Sequence, residues 1–286
     1  LLNDSIPKFE EFEEKYSNDV FEWLNKKTFK PNKHFFIYNN YTPKGNRMFF
    51  TESNGLKIDG IRIAIEDLYR DRNITENEYY FLLASLLESV TKFSNTSGTY
   101  EAFFKFWDSR AEKDFLINPL EFTHKKYNID NEIYQQDSNV LLKQIEGDIL
   151  YIDPPYSVTQ YASAYHMLET IARYDFPYIK GVGGKREKGK CVSLYSRKHQ
   201  AYEQFEDLFR QANFKHILLS YSNQSIISLE EMVELARLFS VDKKVYVEDL
   251  SYREYQNHRS SNKRNGKKLK EVIIYFKKDT SVIKSP

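Results

Sequence analysis

An apolar stretch from Ile149 to Ile152 stops at Asp153-Pro154-Pro155-Tyr156, and this junction constrains the chain more than any other feature. Proline fixes φ and carries no N–H, so a strand ladder cannot run on through two consecutive prolines. A buried strand therefore ends there. Around it the periodicity alternates between strand and helix. NEIYQQD (131–137) reads as a strand, SNVLLKQI as a short helix and DILYID as the buried strand. YHMLETIARYD and QAYEQFEDLFRQA follow as helices, then HILLSYS as a strand and SLEEMVELARLF as a helix. KVYVEDLSYR and LKEVIIYFKK close the chain as two antiparallel strands joined by a polar loop. This order predicts an α/β sheet flanked by helices.

The first 124 residues read differently. Residues 7–30 have the character of a helix containing Phe9, Phe12, Phe21 and Trp23. Between Lys30 and Asp59, aromatic clusters broken by Pro31, Pro43, Gly45 and Gly55 read as short strands and turns. Two amphipathic helices follow, with Ile58, Ile61, Ile65 and Leu68 on one face of the first and Leu82, Leu83, Leu86 and Val90 in the second. The expected division is a mostly helical region over 1–124 and an α/β domain over 125–286. KGVGGKREKGK, residues 180–190, reads as a mobile loop.

Composition narrows the function classes. The chain is 41% hydrophobic and 29% charged, and no segment approaches the roughly 20 apolar residues of a membrane span. One cysteine, Cys191, excludes a disulfide framework or a cysteine zinc cluster and suits the cytoplasm. The formal charge of +1 gives no global attraction to polyanions, so nucleic-acid binding would have to come from local patches. The chain begins at Leu1 rather than Met, which suggests an upstream segment.

Ligands of open α/β sheets bind at the carboxyl ends of strands, where Asp153 to Tyr156 lie. The Asp153 carboxylate and the Pro154 carbonyl are acceptors held at a rigid turn, suited to a group bearing two hydrogens on nitrogen. Tyr156 offers a face on which a base can stack. The motif Asp153, Pro154, Pro155, Tyr156 resembles the DPPY motif of amino-group methyltransferases. With TYEAFFKFW at 99–107, YQQD at 134–137 and QYASAYHMLETIARYD, it resembles the D12 class of DNA adenine-N6 methyltransferases from about Tyr41 to Lys278. The resemblance implies a Rossmann-like S-adenosylmethionine-dependent sheet beside a helical target-recognition domain. It also implies methyl transfer to a flipped adenine in double-stranded DNA without a metal, within a bacterial or phage restriction-modification system. Asp137 and Asp153 would line the cofactor pocket, and Tyr156, Tyr221 and Asn223 the target-base pocket.

The family's Gly-rich cofactor loop has no counterpart upstream of Asp153, and Gly181, Gly183 and Gly184 follow a predicted helix rather than a strand. The N-terminal strands of the sheet are therefore expected to be missing, with the loop supplied by a preceding segment or by a separate chain. Lys44, Arg47, Lys185 and Arg186, together with Arg259, Lys263, Arg264 and Lys267 in the closing loop, are the candidate DNA contacts. His166 reads as a structural, hydrogen-bonded histidine. The rivals are a non-catalytic DNA-binding or specificity subunit of a split methyltransferase, and a methyltransferase acting on RNA or another base.

Overall fold

The computed structural model describes residues 7–121, 131–187, 189, 192–250, 270–279 and 281. It divides into two compact units, Leu1–Glu132 with Ala162–Gly189, and Ile133–Tyr161 with Lys190–Pro286. Residues 162–189, expected in the second region, thus belong to the first, because Met167 and Ile171 are buried in its core. Among the described residues no helix is long and apolar enough to cross a membrane.

The first unit opens with α1 (Glu10–Tyr16) and α2 (Val20–Lys26). The single helix expected over 7–30 is split here. Ser17 adopts a left-handed conformation that ends α1, and the Asp19 side chain accepts from the Glu22 N–H to start α2. The strands expected between 30 and 59 do not form. Instead α3 (Phe36–Tyr41) buries Ile37, Tyr38 and Tyr41. Its first N–H groups find a remote acceptor, Asp59, which lies on α4 (Glu52–Arg70). The long helices begin at side-chain caps: Thr51 for α4, and a Thr75/Glu78 capping box for α5 (Glu76–Lys92).

The second unit contains a four-stranded mixed sheet. NEIYQQD forms no strand and is exposed throughout. Asp137 instead starts α6 (Ser138–Leu141), and the sheet begins with β1 (Glu146–Ile152). In the first unit, α7 (Tyr161–Ala164) and α8 (His166–Arg173) lead to β2 (Ile179–Lys180) and β3 (Lys185–Arg186), a small antiparallel hairpin. Back in the sheet unit, α9 (Ala201–Gln211), β4 (Asn213–Ser222), α10 (Leu229–Leu238), β5 (Ser240–Leu250) and β6 (Glu271–Lys278) complete the chain. The strand order is β1-β4-β6-β5, with β1 parallel to β4 and the other pairs antiparallel. This is the mixed α/β arrangement the alternating pattern predicts, including the closing antiparallel pair.

Register assigns the faces. Ile217 and Leu219 of β4 and Ile274 and Phe276 of β6 pack in one core with Phe205, Phe209, Met232 and Leu235 of α9 and α10. On the other face, His216, Tyr275 and Tyr246 stack in a row across β4, β6 and β5. Ile149 and Tyr151 align with His216 and Leu218 on this face and are 62% and 59% exposed.

Candidate active site at the carboxyl edge of the sheet

Because β1 and β4 are parallel, both end at the same edge, and antiparallel β6 starts there opposite Ser222. Three pieces of backbone meet at this edge: Asp153–Tyr156 after β1, Ser222–Ile227 after β4, and Lys270–Glu271 before β6. Main-chain bonds tie them together. The Ile226 N–H donates to the Tyr156 carbonyl at 2.9 Å. The Asn223 N–H donates to the Lys270 carbonyl at 3.1 Å, and the Lys270 N–H returns to Asn223 Oδ1 at 3.0 Å.

Asp153 is exposed, Pro154 is buried and Tyr156 is half-buried, so the turn is anchored while its carboxylate faces solvent. The Tyr156 ring meets Tyr221 edge-on at 6.1 Å. Its hydroxyl donates to Glu271 Oε1 at 3.4 Å. Burial first, then the Glu271 carboxylate and Asp153, push the Tyr156 phenol up to about 12. It therefore stays protonated at physiological pH and cannot serve as a general base there. Burial, reinforced by Asp153, raises the Glu271 carboxyl above its ordinary value although the Tyr156 hydrogen bond opposes this.

The other expected site residues have varied positions. Tyr221 is 1% exposed, with its hydroxyl on the Ile227 carbonyl at 3.0 Å, and it backs Tyr156. The Asn223 side chain pins the start of β6. Asp137 Oδ1 caps α6, accepting from the Asn139 and Val140 N–H groups at 2.9 and 3.2 Å. Glu271, which sequence reading missed, was recoverable in principle. Pairing LKEVIIYFKK antiparallel to HILLSYS places its first residues at the strand end carrying the site.

Most of the expected DNA contacts in the first unit are engaged internally. Arg47 donates to the carbonyls of Val182 and Gly181 at 2.9 and 3.0 Å and to that of Asn40 at 2.9 Å. Lys185 pairs with Glu101 at 2.7 Å, and Arg186 grips Asp175 through two bonds of 3.0 and 2.6 Å. These contacts, with the Tyr41 hydroxyl on the Gly184 carbonyl at 2.6 Å, make a docked hairpin turn of a segment expected to be a mobile loop. Lys44 is exposed. Arg259, Lys263, Arg264, Lys267 and Cys191 lie outside the described residues. His166 is buried, with Nε2 on the Tyr100 carbonyl at 2.8 Å, and burial lowers its pKa.

A strand ending in an exposed Asp and two prolines, beside an aromatic ring at the carboxyl edge of a mixed sheet, places the chain among α/β proteins. The comparisons place it within a family. The model for the D12 class N6 adenine-specific DNA methyltransferases matches residues 2–235, and the chain belongs to that family. Modification methylase LlaI of Lactococcus lactis subsp. lactis is 56% identical over 287 residues, covering 100% of this chain and 46% of the relative. Type II methyltransferase M.FokI of Planomicrobium okeanokoites is 37% identical, covering 100% of this chain and 44% of the relative. Type II methyltransferase M.NlaIII of Neisseria lactamica is 38% identical over 235 residues, covering 82% of this chain and 68% of the relative. The chain thus spans just under half the length of the first two relatives. No solved structure matches.

Proposed function

We propose that this chain carries the catalytic motif of a site-specific DNA methyltransferase that methylates adenine N6 in double-stranded DNA, as part of a restriction-modification system. The observation that carries the reading is the solvent-facing Asp153 carboxylate on a Pro-Pro turn beside half-buried Tyr156, in a chain of the D12 family. Adenine N6 edges the major groove, but its lone pair is conjugated into a ring stacked between neighbours and one of its hydrogens is paired, so the base must leave the stack, at a cost of a few kcal/mol. Tyr156 stacks on it, braced by Tyr221. Asp153 and the Pro154 carbonyl accept the two amino hydrogens and draw the nitrogen lone pair out of conjugation with the ring. The chain's contribution is positioning and electrostatics.

S-adenosylmethionine, when bound, supplies the methyl group. The residues present fit it in part. Asp153 is exposed where a donor beside the amino group would lie, whereas Asp137 already caps α6 through one carboxylate oxygen. The ten glycines form no Gly-rich turn between a strand and a helix ahead of β1. The reading is therefore that a Rossmann-like sheet is completed beyond β1 by a preceding segment or a separate chain. Two observations support it. Among the described residues β1 pairs on one edge alone, and its Ile149 and Tyr151 leave apolar surface in water. Lys44 is proposed to meet phosphate.

Transfer of labelled methyl from S-adenosylmethionine to unmethylated duplex DNA tests the reading, with Asp153→Ala as control and mass spectrometry of the nucleosides. N6-methyladenine that disappears in the control is expected. Methylcytosine or methylguanine as the sole product, or undiminished transfer by Asp153→Ala, would overturn the assignment.

A further inference from the structure

We propose that Glu271 is a positioning residue for methyl transfer, holding the Tyr156 ring in its stacking position from the start of β6 at the same edge of the sheet. This rests on the methyltransferase reading above. Tyr156 is fixed at three points: its carbonyl by the Ile226 N–H, its ring edge by Tyr221, and its hydroxyl by Glu271 Oε1. The first two leave the ring free to tilt about its side-chain torsions. The third sets the position of the phenol tip and so the plane on which a base would lie. At 3.4 Å the bond is long for O–H···O.

Glu271 is built to be a fixed anchor. Its backbone is locked by register against Ser222 and Leu250, and the preceding residue by the reciprocal pair between Asn223 and Lys270. The side chain is half-buried at the edge where Asp153 also stands. A phenol donating to a carboxylate has an electron-richer ring than a free phenol. Such a ring face favours the positive charge that develops on adenine N6 as it gains the methyl group. Asn223, expected at the base pocket, then acts one step back, by holding the strand that carries Glu271.

The test combines two readouts on the full protein. With 3-fluorotyrosine at position 156, the fluorine resonance reports the ring without turnover. Glu271→Ala should shift and broaden it, and Glu271→Gln, whose amide oxygen still accepts, should leave it near the parent position. In single-turnover methylation of unmethylated mixed-sequence duplex DNA, Glu271→Ala should slow transfer about tenfold, the equivalent of one hydrogen bond of about 1.4 kcal/mol. DNA affinity should stay within about twofold, and Glu271→Gln should recover most of the rate. In a Tyr156→Phe background the Glu271→Ala change should add less than about twofold. An unchanged resonance in Glu271→Ala, or the same tenfold loss with Phe at 156, overturns the proposal. A wild type that methylates no DNA even when the preceding segment or separate chain completing the sheet is supplied overturns the functional reading instead, and the resonance then separately decides whether Glu271 anchors the ring.

Discussion

Replacing Asp59 by Asn should remove a pH dependence from the stability of the first unit. Asp59 is fully buried on α4 and accepts three hydrogen bonds: Oδ1 from the Ile37 N–H at 3.0 Å and the Tyr174 hydroxyl at 2.6 Å, Oδ2 from the Tyr38 N–H at 2.7 Å. Burial opposes ionisation more than these three donors and the nearby Phe36 N–H together favour it, and the carboxyl is pushed from its ordinary 3.8 up to about 7. The folded state therefore holds a proton that the unfolded chain has released. This group's contribution is full below about pH 4, falls as pH rises from there through 7, and is flat above. The shift of about three units corresponds to about 4 kcal/mol across the window, of which about 3 kcal/mol falls between pH 5 and 8. Asn does not titrate. It also turns an amide N–H toward one of the three donors, a pH-independent cost of about 1–3 kcal/mol. Urea unfolding at several pH values, with hydrogen exchange of a peptide spanning α3 as local probe, should show the wild type losing about 3 kcal/mol more than Asp59→Asn from pH 5 to 8. Subtracting the two curves cancels other titrating groups, buried His166 among them. Parallel curves would refute the reasoning and mean that the three donors outweigh burial.

Gly184→Ala should destabilise the β2–β3 turn by more than about 1 kcal/mol, since φ is +60° and the new Cβ would lie 2.7 Å from the Tyr41 ring; faster exchange across 179–186 would register it. Arg47→Ala should loosen the same turn by removing its bonds to the Gly181 and Val182 carbonyls, with the effect read as proteolytic susceptibility rather than as a changed salt dependence of DNA binding. Lys44→Ala should leave stability within about 0.5 kcal/mol and lower the salt slope of DNA binding by about one, as measured by titration at several salt concentrations; an unchanged slope removes Lys44 from the DNA contacts. Thr75→Ala breaks the capping box of α5 and should cost about 1 kcal/mol in thermal or urea unfolding.

What the sequence made legible was what is local. The DPPY turn lies at a strand end because two prolines permit nothing else. Ile58, Ile61, Ile65 and Leu68 recur at helical spacing and are all buried on α4. The closing strands pair as their alternation demands. Helix α3 was not legible, because FFIYNNY is rich in residues that favour strands, and the carboxylate that caps it comes from a different helix. The same blindness to distant partners governs the charges. A count of Lys and Arg cannot distinguish a free cation from Lys185, whose Glu101 partner is 84 residues away, or from Arg47, whose acceptors are main-chain carbonyls in a turn 134 and 135 residues on. Glu271 shows the converse case, being unremarkable in composition and 115 residues from Tyr156. Here a strand register, itself readable, carries one polar residue to the site. Sheet topology therefore transmits information about a site that local motifs do not. A residue at the amino end of an antiparallel strand deserves the same scrutiny as the loops that follow its parallel neighbours.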